Sequence, residues 1–374
     1  MNFQINKDTL LNNLITAQKA LSNKTPNPAL QGIKLEVLKD HLVITTSNSD
    51  IAIKLNIKDP SLSVKSEGAV LIPGKYFIEI IRKLDGLKVN LSLVADNMLR
   101  IEADRSDITL NMMDLDDYPE LEFSEKVKSI KINVRTLKTI IRQTAFATSS
   151  IENRPILTGV NFKIEGNKLS AIATDSYRLS QKQIELTETY ESLNIIIPGR
   201  SLEELMKVLE NNNEIVEMHF DRSKILFKYA NLLFQSRLLE GNYPETSKLV
   251  PTDFPIVIKF NKESLATAIE RASLLSSRDG NNSIVKLNLR PDNIVEITSN
   301  SPEIGKVLEE VYPVDEIKGT PIKIAFSSKY ILEALKVFNS SEITVNFTGE
   351  IRPYVLKGEY DENMIQLILP VRTE

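Results

Sequence analysis

The sequence predicts an α+β protein made of three copies of one unit. Three observations predict it: strings that recur at long spacing, strand patterns of period two, and pairs of amphipathic helices set among those strands. The clearest recurrence is IPGKYFIEIIRKL from Ile72 and IPGRSLEELMKVL from Ile197, 125 residues apart. Tyr118-Pro119-Glu120 and Tyr243-Pro244-Glu245 repeat at the same offset. A third copy, SSKYILEALKVF from Ser327, has lost the Pro-Gly but sets Glu333, Lys336 and Val337 against Glu204, Lys207 and Val208. TSNS stands at Thr46 and again at Thr298, and ATDSYRL from Ala173 holds the corresponding place in the middle copy.

The elements follow in the same order in each copy. A short strand opens it: NFQI at Asn2, IKINV at Ile130, IVIKF at Ile256. A helix comes next, with apolar residues three and four apart: Leu10, Leu11, Leu14, Ile15 and Leu21 in the first copy, Leu137, Ile140, Ile141 and Phe146 in the second. Alternating strands such as GIKLEVL, HLVITTS, KLSAIAT and NIVEITS precede the second helix. KVNLSLV, ILFKYA, ITVNF and MIQLILP follow it. Alternation with one wet face indicates antiparallel sheets, and two helices grouped against them indicate layers rather than a parallel doubly wound fold. SEKVKS and VPTDFP read as connectors, so the expected domains are 1–125, 126–251 and 252–374.

At 374 residues the chain is long enough for two or three cores, and 42% hydrophobic with 26% charged residues is a globular balance. There is no Cys, and the only histidines are His41 and His219, so neither a disulfide nor a metal or cofactor is expected. The amino-terminal MNFQINKDTLLNNLITAQKAL is broken by polar residues every two or three positions, and the protein is read as cytoplasmic. No catalytic constellation stands out. There is no G-x-S-x-G elbow and no GxxxxGK[ST] phosphate loop. The acidic DLDDYPELE from Asp114 reads as a solvated connector, because its YPE recurs at Tyr243 without the acidic run.

Net charge is −4, which taken alone argues against a nucleic-acid partner. Distribution changes that reading. The helical windows 7–24, 74–88, 134–148, 198–210, 261–278 and 327–338 carry +2, +2, +3, −1, +1 and +1, so an acidic chain has a basic helical surface. Lys19, Lys24, Lys75, Arg82, Arg135, Arg142, Arg200, Arg271 and Lys329 are its candidate phosphate contacts, which would position duplex DNA without reading bases.

RPILTGV at Arg154, ATDSYRL at Ala173, LLEGNYP at Leu238, the IPG-helix units and the ending LILPVR resemble, over essentially the whole chain, the bacterial DNA sliding clamps, the beta subunits of the replicative polymerase. The resemblance implies a non-catalytic head-to-tail homodimer, six domains closing a ring with helices inside and sheets outside. It implies encirclement of duplex DNA and processivity in replication, with loading by a separate ATP-driven loader. Short linear motifs of the polymerase alpha subunit, the loader, other polymerases and repair proteins would dock in a pocket. Matched pocket positions are Leu157, Thr174, Ser176, Tyr177, Arg178, Leu179, Pro251, Leu367 and Leu369 in the deeper part, with Ser327, Tyr330, Ile351, Pro370 and Arg372 in the shallower part. Arg178, Arg372 and the hydroxyls would hold polar groups of the motif. Matched DNA positions are Lys24, Lys75, Ile151, Pro155 and Ile156, with Arg154, Arg82 and Arg200 beside them. Ile108 on one end and Leu274 with Leu275 on the other would form the dimer interface. The chain departs from the family at Ser176-Tyr177, where a Gly-His pair is commoner, and in the apolar Ile151, Pro155 and Ile156. The competing readings are an enzyme and a repeat-built scaffold that binds peptides but not nucleic acid.

Overall fold

The structure is a computed structural model. It describes all residues except Asn23, Lys24, Asp96, Val127, Glu152, Ser277, Gly280, Asn281, Thr373 and Glu374, and it leaves undescribed the side chains of Arg278, Asp279 and Asn282. Each copy begins its first helix in the same way, with an asparagine ending the opening strand. Asn6 Oδ1 accepts from the Asp8 and Thr9 amides ahead of α1 (Lys7–Ala17). Asn133 Oδ1 accepts from Arg135 N at the start of α3 (Val134–Thr144), and Asn261 Oδ1 from Ser264 N at the start of α5 (Lys262–Leu274). A side-chain oxygen there satisfies amides that have no partner within the helix. The second helices, α2 (Gly74–Lys83), α4 (Gly199–Val208) and α6 (Ser328–Lys336), follow their strands directly.

By compactness the chain divides into two units, each holding more than one copy of the repeat. One comprises residues 1–137 and 201–238, the other 138–200 and 239–374, so the division falls within α3 and α4 and the middle copy contributes to both. The first unit has two antiparallel sheets. Its five-stranded sheet runs β5 (Ser63–Ser66), β1 (Asn2–Asn6), β7 (Lys88–Ala95), β8 (Met98–Ala103), β9 (Ser106–Asn111). Its eight-stranded sheet runs β10 (Ile130–Asn133), β13 (Ile215–Phe220), β14 (Lys224–Tyr229), β15 (Leu232–Arg237), β4 (Ile51–Ile57), β3 (Leu42–Ser47), β2 (Gly32–Val37), β6 (Gly68–Pro73). Phe3, Leu10, Leu14, Phe77, Ile81 and Leu91 are buried between helices and strands. Pairing of β15 with β4, Gln235 opposite Ala52, joins the middle copy to the first within one sheet.

The second unit repeats the device. A six-stranded sheet runs β11 (Gly159–Thr174), β12 (Arg178–Pro198), β24 (Met364–Ile368), β23 (Tyr354–Gly358), β22 (Glu342–Phe347), β16 (Ile256–Asn261). A second sheet runs β17 (Arg278–Asp279), β18 (Asn282–Leu289), β19 (Val295–Ser301), β20 (Gly305–Val311), with β21 (Lys323–Ser327) on β18. Here β12 pairs with β24, Leu179 opposite Leu367, and joins the middle copy to the third. Strands β11 and β12, of 16 and 21 residues, form one long hairpin where short strands were expected. Phe260, Ile269, Leu287, Ile297, Phe326 and Tyr354 fill the principal core of this unit.

The TSNS repeat is one residue out of structural register. Thr46 Oγ1 donates to the last carbonyl of α1, Ala17 O (2.7 Å), whereas the residue doing so near the end of α5 is Ser299, onto Ala272 O (2.6 Å), not Thr298. The helices as formed carry charges of 0, +2, +3, 0, 0 and +1 from α1 to α6, so the basic helical surface persists with shorter helices than the windows assumed.

Candidate functional site

The tip of the β11–β12 hairpin carries the matched pocket residues, and their backbone is held by the side chains of the turn itself. Asp175 Oδ1 accepts from the amides of Tyr177 (2.9 Å) and Arg178 (3.0 Å). Thr174 Oγ1 accepts from Ser176 N and donates to Arg178 O (2.6 Å). This closure places Ser176 at φ +78°, in the left-handed region that glycine enters freely and serine does not. Tyr243 of the NYP turn supports the hairpin from outside: its hydroxyl accepts from Thr174 N (3.0 Å), and burial pushes its phenol well above the ordinary tyrosine value. Gly241 in the same segment has φ +129°, and a Cβ there would fall 2.7 Å from Ile156 Cδ1, so only glycine lets LLEGNYP close onto that side chain.

Arg178 is held within the fold. Its side chain is 7% exposed and its guanidinium is fully engaged. Nε donates to Asp175 (3.1 Å), one terminal nitrogen to Glu333 of α6, and the other to Phe146 O (2.8 Å). It also lies over the rings of Tyr330 (4.7 Å) and Phe146 (5.2 Å). The polar docking role expected of it therefore gives way to a structural one: Arg178 ties the hairpin tip to α6. Ser327 is likewise removed from the surface, fully buried at the end of β21 where it pairs with Ile284.

Of the matched pocket positions, Ser176, Tyr177, Ile351 and Arg372 are exposed. Tyr177, 59% exposed, stacks on Tyr330 with centroids 6.2 Å apart and an interplanar angle of 18°. Leu179, Val355 and Leu367 form a small buried cluster, flanked by the half-buried Ile172, Val250, Phe254 and Ile365. The C-terminal segment leaves β24 along this group. Leu369 N donates to Tyr177 O (2.9 Å) and Val371 N to Ala325 O (2.7 Å), with Pro370, which has no amide hydrogen, between them. Leu369, Pro370 and Pro251 are half-buried, and Ile351 and Arg372 are exposed. These contacts join Thr174 to Leu179, Tyr330, Leu367 and Leu369 into one group. Arg372 follows on the same C-terminal segment, whereas Leu157 and Ile351 lie on other segments, and no hydrogen bond or ring contact among the described residues ties those two to the group. Sequence reading missed Asp175, Glu333, Phe146, Tyr243, Val250 and Phe254. Tyr243 left a signal in the repeated Tyr-Pro-Glu, Glu333 in its match to Glu204, and Asp175 in ATDSYRL, but none of these announced a role at the site.

The candidate DNA contacts divide into free and committed cations. Lys75 is exposed on α2, and Arg200 on the first turn of α4. Arg82 is exposed but paired with Glu79 one turn away, a contact of small energy in water. Arg142 donates to Asn339 Oδ1 (2.9 Å). Arg271 makes a bidentate pair with Glu309 of β20, at 2.9 and 2.6 Å, so its charge is cancelled locally. Ile151, Arg154 and Pro155 are exposed, Ile156 is half-buried against the Gly241 segment, and Lys24 lies outside the described residues. Ile108 is half-buried on β9, an edge strand; Leu274, 76% exposed, and the half-buried Leu275 end α5. Among the described residues no three His, Asp or Glu side chains converge to hold a metal ion, and no helix is long and apolar enough to cross a membrane.

Models of the N-terminal, central and C-terminal domains of the DNA polymerase III beta subunit match residues 1–122, 131–245 and 247–372 in turn. The beta sliding clamp of Bacillus subtilis (strain 168) is 42% identical over 379 residues, covering all of both chains. The chain belongs to the DNA polymerase III beta subunit family. The beta sliding clamp of Staphylococcus aureus is 39% identical over 378 residues, again covering both chains completely. Among solved structures, the DNA polymerase sliding clamp from Bacillus subtilis superposes with a TM-score of 0.95 at 42% identity, and the DNA polymerase III beta chain from Streptococcus pneumoniae with 0.95 at 37%, each over the whole of both chains. Members of this sliding-clamp family are accessory subunits, and the chain serves DNA replication as a non-catalytic partner of a polymerase acting on DNA.

Proposed function

We propose that two copies of this chain close head to tail into a ring around duplex DNA in the cytoplasm, and that the groove at the hairpin tip tethers the replicative polymerase and other proteins through short linear motifs. Each chain then contributes three clamp domains with boundaries near 125 and 251. What supports the ring is that each chain has both an open sheet edge, β9 with Ile108, and an exposed leucine, Leu274, at the end of α5. An open edge and a bare apolar side chain are both stabilised by covering, and a head-to-tail contact that closes covers them in every copy.

Retention on DNA then comes from topology. Lys75, Arg200 and Arg154 make weak phosphate contacts that hold the duplex off the wall and exchange readily, so the ring slides. A partner anchored in the groove stays near its template after each local release, which raises its effective concentration there and hence its processivity. The site suits a short peptide: Leu179, Val355 and Leu367 form an apolar base beneath the half-buried Ile172, Val250, Phe254 and Ile365, and the exposed Tyr177 stacks on Tyr330 beside it.

The test is retention on nicked circular DNA after loading by a clamp loader, before and after linearising the circle. Retention on circles with loss from free ends is expected. Equal loss from both, with peptide binding intact, leaves a scaffold; equal retention on both leaves an ordinary DNA-binding surface.

A further inference from the structure

The first unit contains a second copy of the groove framework. The turn at Asn48 repeats the turn at Asp175 bond for bond. Asn48 Oδ1 accepts from the amides of Asp50 and Ile51, as Asp175 does from Tyr177 and Arg178. Ser47 Oγ donates to Ile51 O and accepts from Ser49 N, as Thr174 Oγ1 does with Arg178 and Ser176. Ser49 and Ser176 share φ +78°. The strand register agrees: Gln235 lies opposite Ala52 and Leu226, as Leu367 lies opposite Leu179 and Val355. So does the exit of the last strand, where Arg237 N donates to Asp50 O (2.9 Å), as Leu369 N does to Tyr177 O (2.9 Å).

The side chains on this shared framework differ in kind. Asp50 stands where the other groove has Tyr177, Arg237 where it has Leu369, Gln235 where it has Leu367, and Ala52 where it has Leu179. Asp50 and Arg237 pair across the strand exit at 3.5 Å with both side chains exposed. Leu226 keeps an apolar residue in the place of Val355, but Gln235 and the small Ala52 replace both leucines beside it, and seating an apolar anchor against the charged rim would strip water from Asp50 and Arg237.

We infer that Asp50, Gln235 and Arg237 are specificity determinants that confine partner binding to one groove per chain, by keeping the repeat-related groove closed to apolar peptide motifs. This rests on the reading of the hairpin-tip groove as the partner site. In this account the backbone of both grooves is competent, and three side chains decide which one is used.

The test uses the full-length chain and a peptide selected from a random display library on the wild type. Calorimetric titration should give one peptide per wild-type chain and none for L367Q/L369R; unchanged binding by that variant would sink the parent reading alone. The triple substitution D50Y/Q235L/R237L should raise the count to two per chain, and placed in the L367Q/L369R background it should restore one. D50Y/R237L, which leaves the buried Gln235 in place, should give a second, weaker site if the triple variant fails to fold. Two sites in the wild type, or one site in folded triple and double variants whose hairpin-tip groove binds normally, overturns the inference.

Discussion

Replacing Arg178 separates a ligand contact from a structural tie. Arg178→Ala leaves Asp175 and Glu333 as carboxylates without their shared cation, on side chains 12% and 32% exposed. Removing one partner of a buried pair costs about 3–5 kcal/mol. Because Glu333 keeps some water, the lower end applies, about 3 kcal/mol, or a roughly 150-fold rise in the open population of the hairpin tip. Native-state hydrogen exchange reads this directly at the amides of Leu369 and Thr174, which donate to Tyr177 O and to the Tyr243 hydroxyl. Exchange there should accelerate by about that factor without any peptide present, and Arg178→Lys should fall between, since one ammonium cannot span Asp175, Glu333 and Phe146 O together. Unchanged protection in Arg178→Ala, combined with lost peptide binding, would refute the structural role and return Arg178 to the ligand.

Three other outcomes are expected. Tyr354 is fully buried between Phe326 and Phe347 with no hydrogen-bond partner for its hydroxyl among the described residues, so Tyr354→Phe should stabilise the second unit by about 1 kcal/mol in urea unfolding; destabilisation would mean that the hydroxyl is satisfied. Burial alone would raise the Asp361 carboxyl, but hydrogen bonds from Asn339 and Ser340 and the charge of Lys182 outweigh it and hold it below the usual carboxylate range. Its contribution is therefore present above the unfolded-state value and lost as pH falls through the folded one; Asp361→Asn should be less stable at pH 7 and flatter between about pH 5 and 2, and an identical acid profile would count against it. For DNA, Lys75→Ala should lower the salt dependence of retention by about one counterion while Arg271→Ala, whose cation is already held by Glu309, should leave it unchanged; an equal effect of both would show that Arg271 reaches phosphate.

Much of the architecture is legible in the sequence because each signal is local. Asn6, Asn133 and Asn261 cap helices whose apolar spacing announces them, and strand alternation reports a half-wet sheet. The partition into units is not legible. Pairing of β4 with β15 and β12 with β24 leaves no periodicity, since a strand shows the same alternation whichever strand lies beside it. TSNS misled for a related reason: identity of four small polar residues does not fix register, whereas the hydroxyl that reaches the end of the preceding helix does. At the site, the resemblance named segments that the fold brings together at the hairpin tip, but it did not give the surroundings of each side chain. Arg178 and Ser327 were expected to face a partner, and what turns them inward, Glu333 and the β18–β21 pairing, lies 155 residues away for Arg178 and 43 for Ser327.

Because the middle copy lends its strands to sheets on both sides, the repeat that recurs in the sequence is not a piece that folds alone. Cutting the chain at residue 125 would strip β15 from β4, and cutting at 251 would strip β24 from β12, each time baring the backbone of a strand that the intact chain keeps in mid-sheet. The copies are thus coupled through shared sheets, and the turns at Asn48 and Asp175 keep one backbone while their side chains diverge.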